Sequence, residues 1–377
     1  MIVPGARHLY VHLPFCSSRC GYCDFVTVVG QHGEHGRYVD ALLRELALRR
    51  GLLDAPLETI YLGGGTPTFT DAPALERLLG ALPPAAEVTV EANPETVTDE
   101  LATLLVRAGV DRVSLGAQTF SPKLLAVLER VAQPDDVRRA VYRLRGAGID
   151  NISLDLIYGI PGQEPADLDR DLAEALALRP EHVSAYELEA KPGTRFTHAH
   201  GAELERQAES METYFERVVE TLTAGGYRWY ETANFCRLRR PSPAGAAGAR
   251  DLRCTHNLGY WLGHDYLGLG VGAVSTIENR RLRNAPSLAR YIAALEAGRL
   301  PAHEVEDLPP RVRDTERIML GLRLDEPLPL AGLEQALDAV QLERLEGLGL
   351  AVRDAGSLAL TPRGRFLGGG VTARLLA

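Results

Sequence analysis

The chain has 377 residues, 45% hydrophobic and 24% charged, with a formal net charge of −9 at pH 7. That length predicts two or three domains, or one barrel with additions, and supplies enough apolar material for a large core. No run of about 18 apolar residues exists and residues 1–7 lack a signal-peptide core, so a cytoplasmic protein is expected, and the acidic balance argues against a nucleic-acid partner.

The first half alternates short β-rich runs with amphipathic helical patterns. Strands are expected at 9–13, 58–62, 87–91, 112–116, 151–157 and 182–187, with helices at 38–50, 74–82, 99–108, 134–148 and 167–178. Gly109, Gly148 and Pro180 stand where helices should stop. Six such repeats predict an α/β fold with a parallel sheet or a partial (β/α)6 barrel over 1–195, and the strand count alone does not separate the two. From Phe196 the pattern changes to one long helix over 205–225, a surface loop over 237–253 and a Gly-rich run at 267–272, read together as a barrel extension over 196–300. Residues 301–377 read as a smaller, mainly helical domain, with helices at 311–322, 329–337 and 341–348 and a hairpin of 350–353 with 357–360. A last helix over 361–376 opens on Thr361-Pro362. That order is winged-helix-like, and a module that is not basic is expected to pack rather than to bind DNA.

Five cysteines are too few for a disulfide scaffold, but Cys16, Cys20 and Cys23 form C-x3-C-x2-C just after the first strand. Three thiolates on one loop can hold three corners of a cubane iron–sulfur cluster and leave the fourth iron open. Structural zinc sites normally close with four ligands. After the second strand comes Gly63-Gly64-Gly65-Thr66-Pro67-Thr68, whose glycines let backbone approach a ligand and offer it free amides. Glu91, Gln118 and Asp155 fall in or just past the third, fourth and fifth strands. Each alone would serve as a turn cap, but together they point to one mouth at the C-terminal end of a barrel.

The cysteine and glycine loops resemble the signature of the radical S-adenosylmethionine (SAM) superfamily. The resemblance implies a [4Fe–4S] cluster on Cys16, Cys20 and Cys23, SAM chelating the open iron, and a 5′-deoxyadenosyl radical when the C5′–S bond breaks. The segments 10–16, 114–120, 155–162 and Val183-Ser184-Ala185-Tyr186 are similar to the oxygen-independent coproporphyrinogen III oxidase branch. Carried over, that likeness implies SAM contacts at Tyr10, Gly64, Gly65, Thr66, Glu91, Gln118, Arg130 and Asp155, with Tyr22 a candidate beside a second SAM.

The oxidases resemble C-x3-C-x2-C-x-C, but Phe25 stands at the fourth position here. That change resembles the HemW family of haem chaperones, as does the H-N-x-x-Y-W segment His256-Asn257-Leu258-Gly259-Tyr260-Trp261. It implies haem contacts at His256, Asn257, Tyr260 and Trp261, with a neutral His256 imidazole as axial ligand. The implied partners are haem, a haem donor, an acceptor such as a membrane-bound haem enzyme met transiently, and a second copy in a homodimer. The same likeness leaves open a radical SAM enzyme, either a porphyrinogen oxidase or a methyl-transferring relative. Two departures count against the oxidase. Relatives carry R-x-H where this chain has Arg130-Val131-Ala132, and G-A-H-S where it has Gly272-Ala273-Val274-Ser275. Cys236 and Cys254 with His256 form a weaker metal candidate.

Overall fold

Alternation along the first strand decides the architecture. In β1 (His8–Leu13), Leu9, Val11 and Leu13 are buried in the main apolar core, while His8, Tyr10 and His12 take the opposite face. The same division recurs in β2 (Leu57–Gly64), β3 (Ala85–Ala92), β4 (Arg112–Gln118), β5 (Ile152–Tyr158) and β6 (His182–Glu187). Their outer residues, such as Ile60, Leu62, Val90, Val113, Leu154 and Val183, share one core with the covering helices. These are α1 (His32–Arg49), α2 (Ala72–Ala81), α3 (Asp99–Arg107), α5 (Pro134–Ala147) and α6 (Pro165–Leu178), while Leu124 of the short α4 (Pro122–Val127) packs in a separate cluster with Ile157, Ile160 and Phe196. The inner faces are polar and bonded to one another: Ser114 Oγ donates to Asp155, Ser153 meets His182, and Tyr61 meets Glu91. Most α/β barrels fill this space with layers of branched aliphatic residues; here the lumen is a hydrogen-bonded network.

The computed structural model describes residues 5–191, 194–238 and 251–376. Strands β1 to β6 pair in parallel and in chain order. Beyond β6 lie β7 (Tyr227–Trp229) and β8 (Asn234–Arg237), and on the free side of β1 a seventh parallel strand, β9 (Tyr266–Leu269). Antiparallel β10 (Val274–Ile277), β11 (Arg280–Asn284) and β12 (His303–Asp307) extend that edge, giving the order β12-β11-β10-β9-β1-β2-β3-β4-β5-β6-β8-β7. The order is linear, so the sheet is not closed, and its strand ends line one cavity, which makes it the partial barrel rather than the flat sheet the six repeats left open. The strand β9 was not anticipated. It has four residues, and a Cβ on its Gly268 would lie 2.1 Å from the Val274 carbonyl oxygen, so only glycine lets β10 fold back so closely.

Three expectations need correction. The single helix over 205–225 is two, α7 (Arg195–Gln207) and α8 (Met211–Ala224), joined by a 3-10 turn at Ala208–Ser210. The tighter turn lets Gln207 Nε2 and Tyr214 OH both donate to the Gln163 carbonyl in the loop after β5. The helix over 329–337 is absent except for the 3-10 turn Glu334–Ala336, because Leu328–Pro329 pairs as strand β13 with Ser357–Leu358. The last helix is broken at Leu367 into two. The loop expected over 237–253 lies mostly outside the described residues.

Past α9 (Thr255–Trp261) and α10 (Leu288–Glu296), the C-terminal unit holds α11 (Pro310–Gly321), α12 (Ala339–Gly347), the hairpin β14 (Ala351–Asp354) and β15 (Ser357–Leu360), then α13 (Pro362–Phe366) and α14 (Gly368–Leu375). Its own apolar cluster runs from Ile318 to Leu375. Among the described residues no helix is long and apolar enough to cross a membrane.

One buried carboxylate fastens the added strands to the barrel. Glu45 of α1 accepts from Gly270 N at 2.9 Å, Asn284 Nδ2 at 2.9 Å, Tyr291 OH at 2.6 Å and Arg49 Nε at 3.1 Å. Removing it strands the Arg49 guanidinium, itself buried. Glu45→Ala is expected to lower stability by about 3–5 kcal/mol, read from the urea midpoint; a loss below about 1 kcal/mol would show that the network is dispensable.

Candidate cofactor site at the barrel mouth

The cysteine loop leaves β1 at its C-terminal end and is pinned at its base. Phe15–Cys16 pairs with Val28–Val29, Val28 N donates to Pro14 O and Gly30 N to Cys16 O. Cys16 Sγ then lies 3.5 Å from Thr66 Oγ1, which accepts from Asn93 Nδ2 at 2.9 Å. Asn93 Oδ1 accepts from Arg130 Nη2 at 2.8 Å, and Arg130 Nη1 lies 3.6 Å from Cys20 Sγ. One chain of contacts thus links two of the three sulfurs through the ends of β2 and β3. Burial pushes the Cys16 and Cys23 thiols up, a cost that bound metal ions remove by holding the thiolate. Among the described residues the three sulfurs are not drawn within 4.8 Å of one another.

The glycine loop supplies the adjoining cradle. Gly64 has φ 116°, and a Cβ there would lie 2.5 Å from the His12 ring, so no other residue fits without displacement. Its N–H donates to Glu91 Oε2 at 3.0 Å, and Gly65 N to Leu13 O at 2.8 Å. Burial pushes the Glu91 carboxyl up to about 7; the Asp155 charge adds to this, while bonds from Tyr61 and Gly64 oppose it. Burial likewise raises the Asp155 carboxyl, against hydrogen bonds from Ser114 and Ser184. Gln118 sits at a break in the β4–β5 register with φ 63°, which turns its side chain into the mouth.

A cavity of about 1250 Å³ gathers Cys16, Cys20, Cys23, Tyr22, Gly64, Gly65, Thr66, Glu91, Gln118, Arg130 and Asp155 on its wall, with Asn257 also lining it. Phe25 lines the same cavity, 65% exposed. The C-terminal unit contributes Arg365 and residues 368–371. Asn93 and Arg323 were missed by the sequence reading. Asn93 had a visible signal, a polar residue just past a strand end. Arg323 had none, because it reaches the wall from another unit.

Four expected contacts lie off the cavity wall. Tyr10 OH meets His12 Nδ1 at 3.0 Å. His256, Tyr260 and Trp261 belong to α9, and α9 plugs the N-terminal end of the barrel, opposite the cysteines. His256 is 1% exposed with both ring nitrogens engaged, Nδ1 with Thr59 Oγ1 at 2.7 Å and Nε2 with Tyr260 OH at 2.9 Å. Burial pushes its imidazole down to about 3, so it is neutral. Thr255 bonds Glu87, and the Gly259 position touches the His8 ring. The Arg323 guanidinium lies 4.5 Å over the Trp261 ring while its Nε donates to Glu231.

Residues 10–175 match the family model of the Radical SAM superfamily, and 308–367 that of the HemN C-terminal domain. The chain is 38% identical to the haem chaperone HemW of Mycobacterium tuberculosis, covering 98% of this chain and 94% of that one. It is 32% identical to HemW of Bacillus subtilis, covering 98% and 99%. The structure of coproporphyrinogen III oxidase (HemN) from Escherichia coli, described as a radical SAM enzyme, superposes with a TM-score of 0.80 at 22% identity, over 99% of this chain and 90% of that one. The fold and mouth are therefore those of a radical SAM protein, a class that implies a [4Fe–4S] cluster and SAM. Within it, the chain belongs to the HemW family.

The raised Glu91 carboxyl carries a pH signature. An unfolded Glu titrates near 4.3, so between there and about 7 the folded chain holds an extra proton and stability falls as pH rises. The full cost above that window is about 4 kcal/mol. Glu91→Gln removes it and loses the bond from Gly64 N–H, worth about 1 kcal/mol. The ligand-free variant should exceed wild type by about 3 kcal/mol at pH 8 in urea unfolding and show no gain at pH 4. An unchanged difference across that range would contradict the assignment.

Proposed function

We infer that this protein is a haem chaperone that binds haem beside a SAM-liganded [4Fe–4S] cluster and delivers it to haem proteins. The observation that carries the reading is identity of 38% along nearly the full length of a protein named a haem chaperone, barrel and C-terminal unit alike. Phe25, where the oxidases have a further cysteine, supports the same side. The reading includes a haem donor, a haem-protein acceptor, passing contact with membrane haem enzymes, and a homodimer.

The residues present fit the cofactors. Cys16, Cys20 and Cys23 would hold the cluster, and Gly64, Gly65, Thr66, Glu91, Gln118, Arg130 and Asp155 would hold SAM. Bound there, the reduced cluster can supply an electron to the sulfonium of SAM. Arg130 keeps a cation beside Cys20. Glu91 and Asp155 offer carboxylates to the SAM ammonium or hydroxyls; a cation beside Glu91 lowers its carboxyl and recovers part of the folding cost. The cavity, about 1250 Å³, exceeds the roughly 300–1,000 Å³ of one small-molecule site, which supports room for a macrocycle beside SAM.

In this reading the motif acts at the cavity floor. Asn257 faces the cavity, and His256 is kept as a neutral imidazole, the form that ligates iron. Its Nε2 becomes available when the Tyr260 contact opens. Tyr260→Phe should therefore tighten haem binding by up to about tenfold, the worth of one hydrogen bond, whereas His256→Ala should abolish or shift the Soret change. The measurement is haem titration of anaerobically reconstituted protein by absorption. Saturable binding near one per chain is expected. No binding by wild type, with 5′-deoxyadenosine released instead, would point to a radical SAM enzyme.

A further inference from the structure

At the closed end of the barrel, away from the cysteines, three side chains converge with the geometry of a metal site. His8 Nε2 lies 3.1 Å from His264 Nδ1 and 3.5 Å from Glu58 Oε2, and the three ligand atoms fall within 4.8 Å of one another. We propose that His8, Glu58 and His264 bind a divalent first-row transition ion such as zinc, with an open fourth position toward solvent. Two imidazoles and one carboxylate are a recognised donor set for such ions, and three protein ligands leave one position for water.

Each ligand is held before any ion arrives. His8 is in β1, paired with Thr59 of β2 and with Tyr266 of β9, so its backbone cannot shift. Its Nδ1 is engaged by Thr59 Oγ1 at 2.8 Å, and that hydroxyl accepting the Nδ1–H leaves the lone pair on Nε2. His264 sits in the turn that ends α9, its N–H donating to Gly259 O at 2.9 Å and Gly263 N to Tyr260 O at 3.0 Å. Glu58 is fixed through its own N–H to Arg7 O at 2.8 Å. The charge nearest the carboxylate is Arg7, paired with the other oxygen at 2.7 Å but 56% exposed. An exposed pair of that kind holds Glu58 by about 1 kcal/mol or less.

A second cluster, His32, His35 and Asp71, is less suited. Both nitrogens of His35 are taken, Nε2 by Gly30 O and Nδ1 by the Asp71 backbone N–H. The His8 site differs in having its converging nitrogen free of backbone. It also shares Thr59 with His256, so one hydroxyl stands behind both the metal ligand and the motif histidine.

The test is equilibrium dialysis of the full chain, cluster reconstituted so that the mouth thiolates are occupied, against zinc. One saturable zinc per chain is expected. His264 is exposed, so His264→Ala should fold normally; it should weaken binding by about a hundredfold or more, above the roughly 10–100-fold loss expected when a supporting residue such as Thr59 is changed to Val. The His8 Nε2 resonance should shift with zinc in wild type and stay put in the variant. Equal zinc uptake by wild type and His264→Ala, or no saturation below about 1 mM, would overturn the site while leaving the haem reading untouched.

Discussion

The mouth of the barrel is organised around one cation. Arg130, in the loop after α4, donates to Asn93 Oδ1 and Gly116 O and rests beside Cys20 Sγ, so a single guanidinium ties the ends of β3 and β4 to the cysteine loop. Asn93, oriented by that bond, fixes Thr66, and Thr66 meets Cys16. A planar fork with several donors does this where a point charge would not. The arrangement brings positive charge to the cysteine loop and ties the glycine cradle to it.

The polar lumen joins this mouth to the closed end. Tyr61 stacks on the His256 ring at 5.1 Å, and its hydroxyl donates to Glu91 at 2.8 Å; Glu91 in turn accepts the Gly64 N–H. A change at the motif histidine therefore has a continuous packed and bonded route to the cradle. On the other side, His256 leans on Thr59, which also holds His8. Arg323, stacked on Trp261 and bonded to Glu231, links α9 to the C-terminal unit. The H-N-x-x-Y-W segment is thus the plug of the barrel, touching the starts of β1 and β2 and the C-terminal unit.

Much of this was legible in the chain. The six parallel strands show because their faces differ: Leu9, Val11 and Leu13 alternate with His8, Tyr10 and His12. The cysteine spacing and glycine loop carry their chemistry in residue type, and the structure brings them to one cavity with Glu91, Gln118 and Asp155. What stayed hidden depends on tertiary contact. The helix α9 is seven residues with a glycine at position 259, too short and too weak to announce itself, and it is helical because its side chains bond the strand starts. Its location at the far end from the cysteines follows from topology, which no local pattern reports. The strand β9 and the 3-10 break before α8 were lost for the same reason.

The most direct test of this account is electron paramagnetic resonance of the anaerobically reconstituted, reduced protein with and without SAM, alongside its iron content. The account predicts about four irons per chain, lost when Cys20 is changed to Ser, and a spectrum that changes when SAM is added, as an open iron requires. Zinc bound to the loop in place of iron, or a cluster whose spectrum ignores SAM, would contradict it.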